Sequence, residues 1–247
     1  MYRLLIMKNV KIIKNKVGFI LVSLLLLSCI PKNKHEKISK PKHPNFMGRS
    51  IREVENNPDW KVLRKAKGDL NEDGLLDAAI ILESKDSILT ETRYHSFPDL
   101  RKNKPRIMLV LINQNNINKV ISQNNKIIKL GDEGGMLMDL EPEIAIENGL
   151  LTITYQYTRS VYYYTFEYNN DCMMIKHMKS FGVSGAGSLH EDFFYDFASN
   201  EIIEKKKKNY SYDTSWKTKI IQFNDKPKCL SEFGYIYRWK LAENHSL

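Results

Sequence analysis

The chain has 247 residues, and its 38 lysines and arginines against 29 aspartates and glutamates give a formal net charge of +9. Such an excess would normally indicate a nucleic-acid partner, but here it is confined to the N-terminal 44 residues. Residues 1–28 carry five basic and no acidic residues, and residues 29–44 carry five lysines and one glutamate, so 28 of each sign remain from residue 45 onward. We therefore expect no nucleic-acid partner.

The N-terminus has the order of features of a secretory signal. Its five basic residues precede the apolar run Val17–Leu27, which is shorter than the about 20 residues that a membrane-spanning helix needs. The run ends in Leu26-Leu27-Ser28-Cys29, which resembles the bacterial lipobox, where the cysteine is acylated and becomes the first mature residue. We predict a lipoprotein signal peptide at residues 1–28 and acyl chains such as palmitate on Cys29. An uncleaved signal anchor with a buried cysteine is the alternative.

The predicted anchor implies a place in the bacterial cell envelope, facing the periplasm or the cell surface. Residues 29–44 are rich in lysine and proline, which oppose a packed core and favour an extended tether. From residue 45 to 247 there is neither a second linker nor an internal repeat of fixed period, so we predict a single β-rich globular domain.

The apolar pattern predicts β-strands from residue 76 onward. Asn148-Gly149, between two alternating segments, is the strongest short signal for a two-residue hairpin. A short helix within Ser50–Leu63 would pack through Ile51, Val54 and Trp60. The predicted fold class is mainly β, an antiparallel meander in one domain. Its expected strands are residues 78–83, 106–113, 119–130, the two halves of 143–157, 160–168, 172–178, and a solvated hairpin from 201–204 to 210–219, with lysines 205–208 on an exposed edge.

One segment carries the pattern of a cation-binding loop, D-x-N-x-D-G-x-x-D at residues 69–77. Oxygen ligands at alternate positions suit Ca²⁺, and Gly74 permits the sharp turn that brings them together. The predicted ligands are the side chains of Asp69, Asn71, Asp73 and Asp77 and the backbone carbonyl of Leu75. An EF-hand would place a glutamate where this chain has Ile80, so we expect a structural calcium loop that runs directly into a strand. An acidic turn without metal, favoured by the nearby Lys67, is the alternative.

These residues carry a family resemblance. Gly68–Leu82, the RIMLVLIN segment, the Gly-Gly-x-x-x-Asp segment at 134–139 and the hairpin IAIENGLLTITYQY followed by FEY resemble a group of bacterial secreted proteins. Those proteins carry a single FG-GAP-like loop. The resemblance implies an extracytoplasmic β-domain with a metal-stabilised turn, and it does not imply an enzyme. Proteins that repeat the FG-GAP loop several times differ from this chain, so their ligand surfaces are not carried over.

Two cysteines, Cys172 and Cys229, remain after Cys29, and an exported compartment would allow them to form a disulfide. Two separate thiols are the alternative. Catalytic patterns are incomplete: Gly182-Val183-Ser184-Gly185-Ala186 lacks the second glycine of a nucleophile elbow and is expected to be a loop, and His190-Glu191 lacks the second histidine of a zinc-protease motif.

Three functional hypotheses follow. The leading one is a non-catalytic binding or scaffold lipoprotein with an unidentified protein or glycan partner. The second is an envelope hydrolase, because paired carboxylates about 5 to 9 Å apart can cleave glycosides. The carboxylates for it would be Asp132, Glu133, Asp139, Glu141 and Glu143. The third is a periplasmic inhibitor or immunity-type protein that blocks a toxin or lytic enzyme.

Overall fold

Two antiparallel β-sheets form most of the structure, a computed structural model that describes residues 41–91, 100–134, 140–184, 187–208 and 215–247. The predicted fold class, mainly β in a single domain, is confirmed. In chain order the elements are α1 (Ile51–Glu55), β1 (Trp60–Gly68), β2 (Asp77–Ser84), β3 (Ile88–Glu91), β4 (Leu100–Asn103), β5 (Arg106–Gln114), β6 (Ile117–Asn124), β7 (Glu143–Glu147), β8 (Leu150–Gln156), β9 (Ser160–Asn169), β10 (Cys172–Ser184), β11 (Leu189–Asp196), β12 (Glu201–Lys208), β13 (Lys217–Gln222), β14 (Lys240–Ala242) and β15 (His245–Ser246).

The first sheet has four strands in the order β1-β2-β5-β6, and its central strands β2 and β5 are buried on both faces. Alternate residues of β2 point to opposite sides, so Ala79 and Ile81 join one apolar cluster while Ala78, Ile80 and Leu82 join another. This double burial explains why β2 and β5 read as continuous apolar runs in the sequence.

Helix α1 covers the outer face of the four-stranded sheet. Ser50 caps it and exchanges hydrogen bonds with Glu53 in a capping box, and Val54 is fully buried beside Trp60. The short helix predicted within Ser50–Leu63 is present as α1, but it ends at Glu55, and Trp60, which was expected to pack from the helix, already begins β1. Four residues separate the two elements, and in β1 the backbone pairs with β2 from Trp60 to Gly68.

The second sheet is a seven-strand meander in the order β13-β12-β11-β10-β9-β8-β7. Asn148 and Gly149 form its predicted hairpin turn, both with positive φ, as a type I′ turn requires. Two expectations about this sheet are wrong. Gly182 to Ser184 belong to β10, where a loop was expected, and the lysines of β12 lie on the strand next to the edge, because β13 forms the edge.

The main core lies between the inner faces of the two sheets and continues into the C-terminal segment. Cys172 and Cys229 form a disulfide with Cα atoms 5.7 Å apart, which ties that segment to the start of β10. Asn124 at the end of β6 holds the same segment, since its amide donates to the carbonyls of Leu230 (2.6 Å) and Phe233 (2.8 Å).

A buried ion pair connects β2 and β5. Arg106 donates to Glu83 at 2.8 and 3.0 Å, and it also donates to the carbonyls of Lys129 (2.8 Å) and Leu140 (2.6 Å). Lys61 lies 2.9 Å from the other oxygen of Glu83. Arg106 therefore holds the segment that follows β6 against the four-stranded sheet.

Candidate metal site

The predicted calcium loop is the connection between β1 and β2, and it closes on its own backbone. Both carboxylate oxygens of Asp69 accept hydrogen bonds, from the N–H of Asp73 at 3.2 Å and from the N–H of Gly74 at 2.8 Å. Asp73 in turn accepts from the N–H of Leu75 at 2.8 Å. Gly74 has a φ of +83°, as the predicted sharp turn requires.

Asp77, at the start of β2, is fully buried and holds the end of the loop. One of its oxygens accepts from the N–H of Leu70 at 2.8 Å and the other from the N–H of Asn113 at 2.7 Å. Burial raises the pKa of Asp77, and those two N–H donors oppose the rise. The charges of Asp73 and Asp69 raise the pKa of Asp77 further, as repulsion between neighbouring carboxylates does.

Asn71 carries the oxygen of this loop that most needs a partner. Its Nδ2 donates to Asp73 at 3.0 Å, whereas its Oδ1 is buried without a hydrogen-bond partner in the described structure. A buried polar oxygen without a partner is costly unless an ion or a water satisfies it. Over the described residues, no group of three His, Cys, Asp or Glu side chains is placed to hold a metal ion.

The donor chemistry nevertheless fits a hard cation. Calcium takes amide and carbonyl oxygens as well as carboxylates, and each carboxylate oxygen has a second lone pair beyond the one that accepts an N–H. The residues that would hold the ion are the predicted ones: Asp69, Asn71, Asp73, the Leu75 carbonyl and Asp77. There the ion would neutralise the mutual repulsion of the three carboxylates and satisfy the Asn71 oxygen.

The loop lies where the four-stranded sheet meets the meander. A Cβ on Gly68, directly before the loop, would overlap with Cγ2 of Ile146 on β7 and lie 2.9 Å from the Ile146 carbonyl oxygen. The Glu72 side chain rests on the β7–β8 turn, with a carboxylate oxygen 3.3 Å from where a Gly149 Cβ would be. A polar cavity of about 270 Å³ lies beside this contact, lined by Asn71, Glu72, Asn148, Glu167, Tyr168 and Lys176 among others. A change in the loop would therefore be felt by both sheets.

The carboxylates proposed for hydrolysis have separate structural roles. Glu133 is buried and accepts from the N–H of Leu130 at 2.6 Å, Glu141 pairs with Arg64, and Glu143 is exposed on β7. Asp132 has both oxygens buried with no hydrogen-bond partner in the described structure, and Asp139 lies outside the described residues. None of these residues lines the 270 Å³ cavity beside loop 69–77.

The predicted anchor lies outside the described residues, which begin at residue 41, so Cys29 and the signal peptide stay predictions. Of the helices that the structure does describe, none has the length and apolar character needed to span a membrane. His190 and Glu191 are neighbours on β11, paired with β10 and β12.

The sequence predicted lysines 205–208 on an exposed edge, and the structure shows which of them share the core-facing side. Lys206 and Lys208 of β12 face the same side of the meander as the buried Ile202, because residues two apart share a face. Counting alternate positions from Ile202 would have placed these two lysines on the core side.

Comparisons with family models, with curated proteins and with solved structures gave no match to this chain. The resemblance to secreted proteins with a single FG-GAP-like loop therefore stays a prediction, and the function has to be inferred from the residues of the chain itself.

Proposed function

We propose that this protein is a lipid-anchored, extracytoplasmic lipoprotein whose folded part is a non-catalytic binding or scaffold domain stabilised by a calcium ion in loop 69–77. The observation that carries the proposal is the set of uncompensated polar groups in that loop. Three mutually repelling carboxylates and an unsatisfied Asn71 oxygen are held together where the two sheets meet. A cation removes both costs at once.

The role proposed for the ion is structural. Loop 69–77 joins two strands of one sheet and touches the β7–β8 turn of the other, so binding there stabilises the folded chain. The separate structural roles of Glu133 and Glu141 support the non-catalytic part of the proposal over the hydrolase. The partner of the domain would be a protein or a glycan of the envelope.

Thermal unfolding in calcium and in chelator tests the metal. Without a glutamate at the twelfth position the site belongs in the weak, extracellular range, with a Kd of about 10⁻⁴ to 10⁻³ M. At a calcium concentration ten times the Kd, binding adds about 1.4 kcal/mol to the free energy of unfolding. The full chain in a neutral detergent should therefore melt at a higher temperature in calcium.

Two single-charge variants of the loop make the test specific. Asp73→Ala should abolish the calcium response, since it removes a predicted ligand. Glu72→Ala removes the same charge from the adjacent position, which is not a predicted ligand, and should keep the response. Identical wild-type melting curves in calcium and in chelator would show that the loop is only a turn.

The anchor is tested independently of the metal. Cys29→Ala should release the protein from the membrane fraction or leave the signal peptide attached, because acylation and cleavage both depend on that cysteine. Fractionation shows the first result and intact mass shows the second. A variant with unchanged fractionation and unchanged mass would contradict the lipoprotein assignment and leave the calcium proposal standing.

A further inference from the structure

Along β11, β12 and β13, the residues on the core-facing side of the meander change from apolar to charged. At one end, Ile202 pairs in register with Tyr195 and Ile221, and all three belong to the core or pack against it. Residues two apart share a face, so the same side continues along β12 through Glu204, Lys206 and Lys208. On β13 it continues through Lys219 and Lys217, which are the register partners of Glu204 and Lys206.

A groove follows these positions. It encloses about 410 Å³, and its lining residues include Leu189, Glu204, Lys206, Lys208, Lys217 and Lys219. That volume falls within the range of small-molecule sites, about 300 to 1,000 Å³. Leu189 and the aliphatic stems of the lysines supply an apolar wall, and the lysine ammonium groups, Glu204, Ser215 and Thr218 supply polar groups.

Among the described residues that line the groove, lysines outnumber carboxylates. Two carboxylates reach it from the described residues, and both are engaged by Lys206: Glu204 at 2.5 Å and Glu191 at 3.2 Å. Glu204 also faces His245, whose Nε2 lies 3.6 Å away. Neither Lys208 nor Lys219 has a carboxylate partner among the described ion pairs.

We propose that this groove binds an anion carrying a phosphate group with at least two negative charges. Lys208 and Lys219, which have no carboxylate partner among the described ion pairs, supply two positive charges, which match such a group. Lysine binds phosphate as a compact point charge that can approach from several directions. The site is separate from loop 69–77, and it stands whether or not that loop binds calcium.

The phosphate could belong to a soluble compound or to a lipid headgroup, and two probes distinguish these sources. Inorganic pyrophosphate represents the soluble anion. Dihexanoyl phosphatidic acid represents the headgroup, with dihexanoyl phosphatidylcholine as its neutral counterpart. Each is titrated calorimetrically into the full chain in neutral detergent. Binding of pyrophosphate supports a soluble anion, and binding of phosphatidic acid alone supports a headgroup.

Strand β12 offers a matched control for the variants. Lys208→Gln with Lys219→Gln removes two charges from the groove, and Lys205→Gln with Lys207→Gln removes two charges from the opposite face. We expect the first pair to weaken binding by at least about tenfold and the second by less than about twofold. Melting temperatures of both double variants check that they fold.

Two results would overturn the proposal. One is the absence of binding of either anionic probe to the wild-type protein at about 10 mM in low salt, where screening is weakest. The other is an equal loss of binding in the two double variants, which would indicate attraction by net charge without a groove. If the groove pair fails to fold, Lys208→Gln alone gives the same comparison with Lys207→Gln, because the two residues are adjacent on β12.

Discussion

Replacing Gly68 by alanine should separate the two sheets at the point where loop 69–77 begins. Gly68 ends β1, and its Cα approaches Ile146 of β7 closely enough that an added Cβ would overlap with Cγ2 of that residue. The same Cβ would lie 2.9 Å from both the Cβ and the carbonyl oxygen of Ile146. Backbone atoms cannot turn away as a side chain can, so one strand has to move.

The size of the effect follows from these distances. Carbon atoms in good contact are about 3.5 to 4.0 Å apart, so β1 and β7 would have to separate by roughly 0.6 to 1 Å. Overpacking of this kind typically costs about 1 to 3 kcal/mol. For a domain of about 200 residues, each kcal/mol lowers the melting temperature by roughly 3 °C, so a decrease of about 3 to 9 °C is expected.

Urea unfolding of wild type and variants, followed by tyrosine and tryptophan fluorescence, measures this cost. Gly234→Ala is the matched control, because a Cβ there has no atom within 4 Å and the residue has no positive φ. Ile146→Ala should partly rescue Gly68→Ala by removing the overlapping Cγ2. If Gly68→Ala is as stable as the Gly234→Ala control, β1 and β7 do not approach each other as described.

Three other changes have calculable outcomes. Arg106→Met should lower the free energy of unfolding in urea by about 3 to 5 kcal/mol, because it leaves Glu83 buried with Lys61 as its remaining partner and leaves two backbone carbonyls without their donor. Arg106→Lys keeps the charge and should cost less, so equal losses in the two variants would contradict the role of the guanidinium group. Burial raises the pKa of Glu83, but hydrogen bonds and charge from Lys61 and Arg106 lower it by more, so the net shift is downward. The ionised Glu83 therefore contributes its full stabilisation above pH 4.5, and this contribution is lost as the pH falls through the lowered pKa. Glu83→Gln should flatten the acid side of the curve of unfolding free energy against pH, and an unchanged curve would count against this ion pair. Cys172→Ala with Cys229→Ala should lower the free energy of unfolding by about 2 to 4 kcal/mol and remove the effect of reducing agent, whereas a wild-type protein indifferent to reducing agent would show that the bridge does not form.

Local signals in the sequence were enough to predict most strands of the meander. Asn148-Gly149 determines a tight turn because both residues tolerate positive φ, and the alternating residues on either side then determine which face is buried. The loop at 69–77 is largely local, since the hydrogen bonds made by the side chains of Asp69, Asn71 and Asp73 join residues at most five apart. Such features depend on neighbours along the chain, which a sequence displays directly.

Tertiary contacts decided the rest. Trp60 begins a strand because β2 supplies its backbone partners, and nothing within residues 50–63 indicates that strand. Strands β2 and β5 are buried on both faces only because α1 and the meander cover the four-stranded sheet, and Asp77 holds the end of the loop only because β5 brings the N–H of Asn113 within 2.7 Å. The arrangement of the lysines of β12 was also decided by the tertiary structure. Their charge is plain in the sequence, but which of them share a groove with the lysines of β13 depends on the register between the two strands, and that register is a property of the pair that neither strand shows alone.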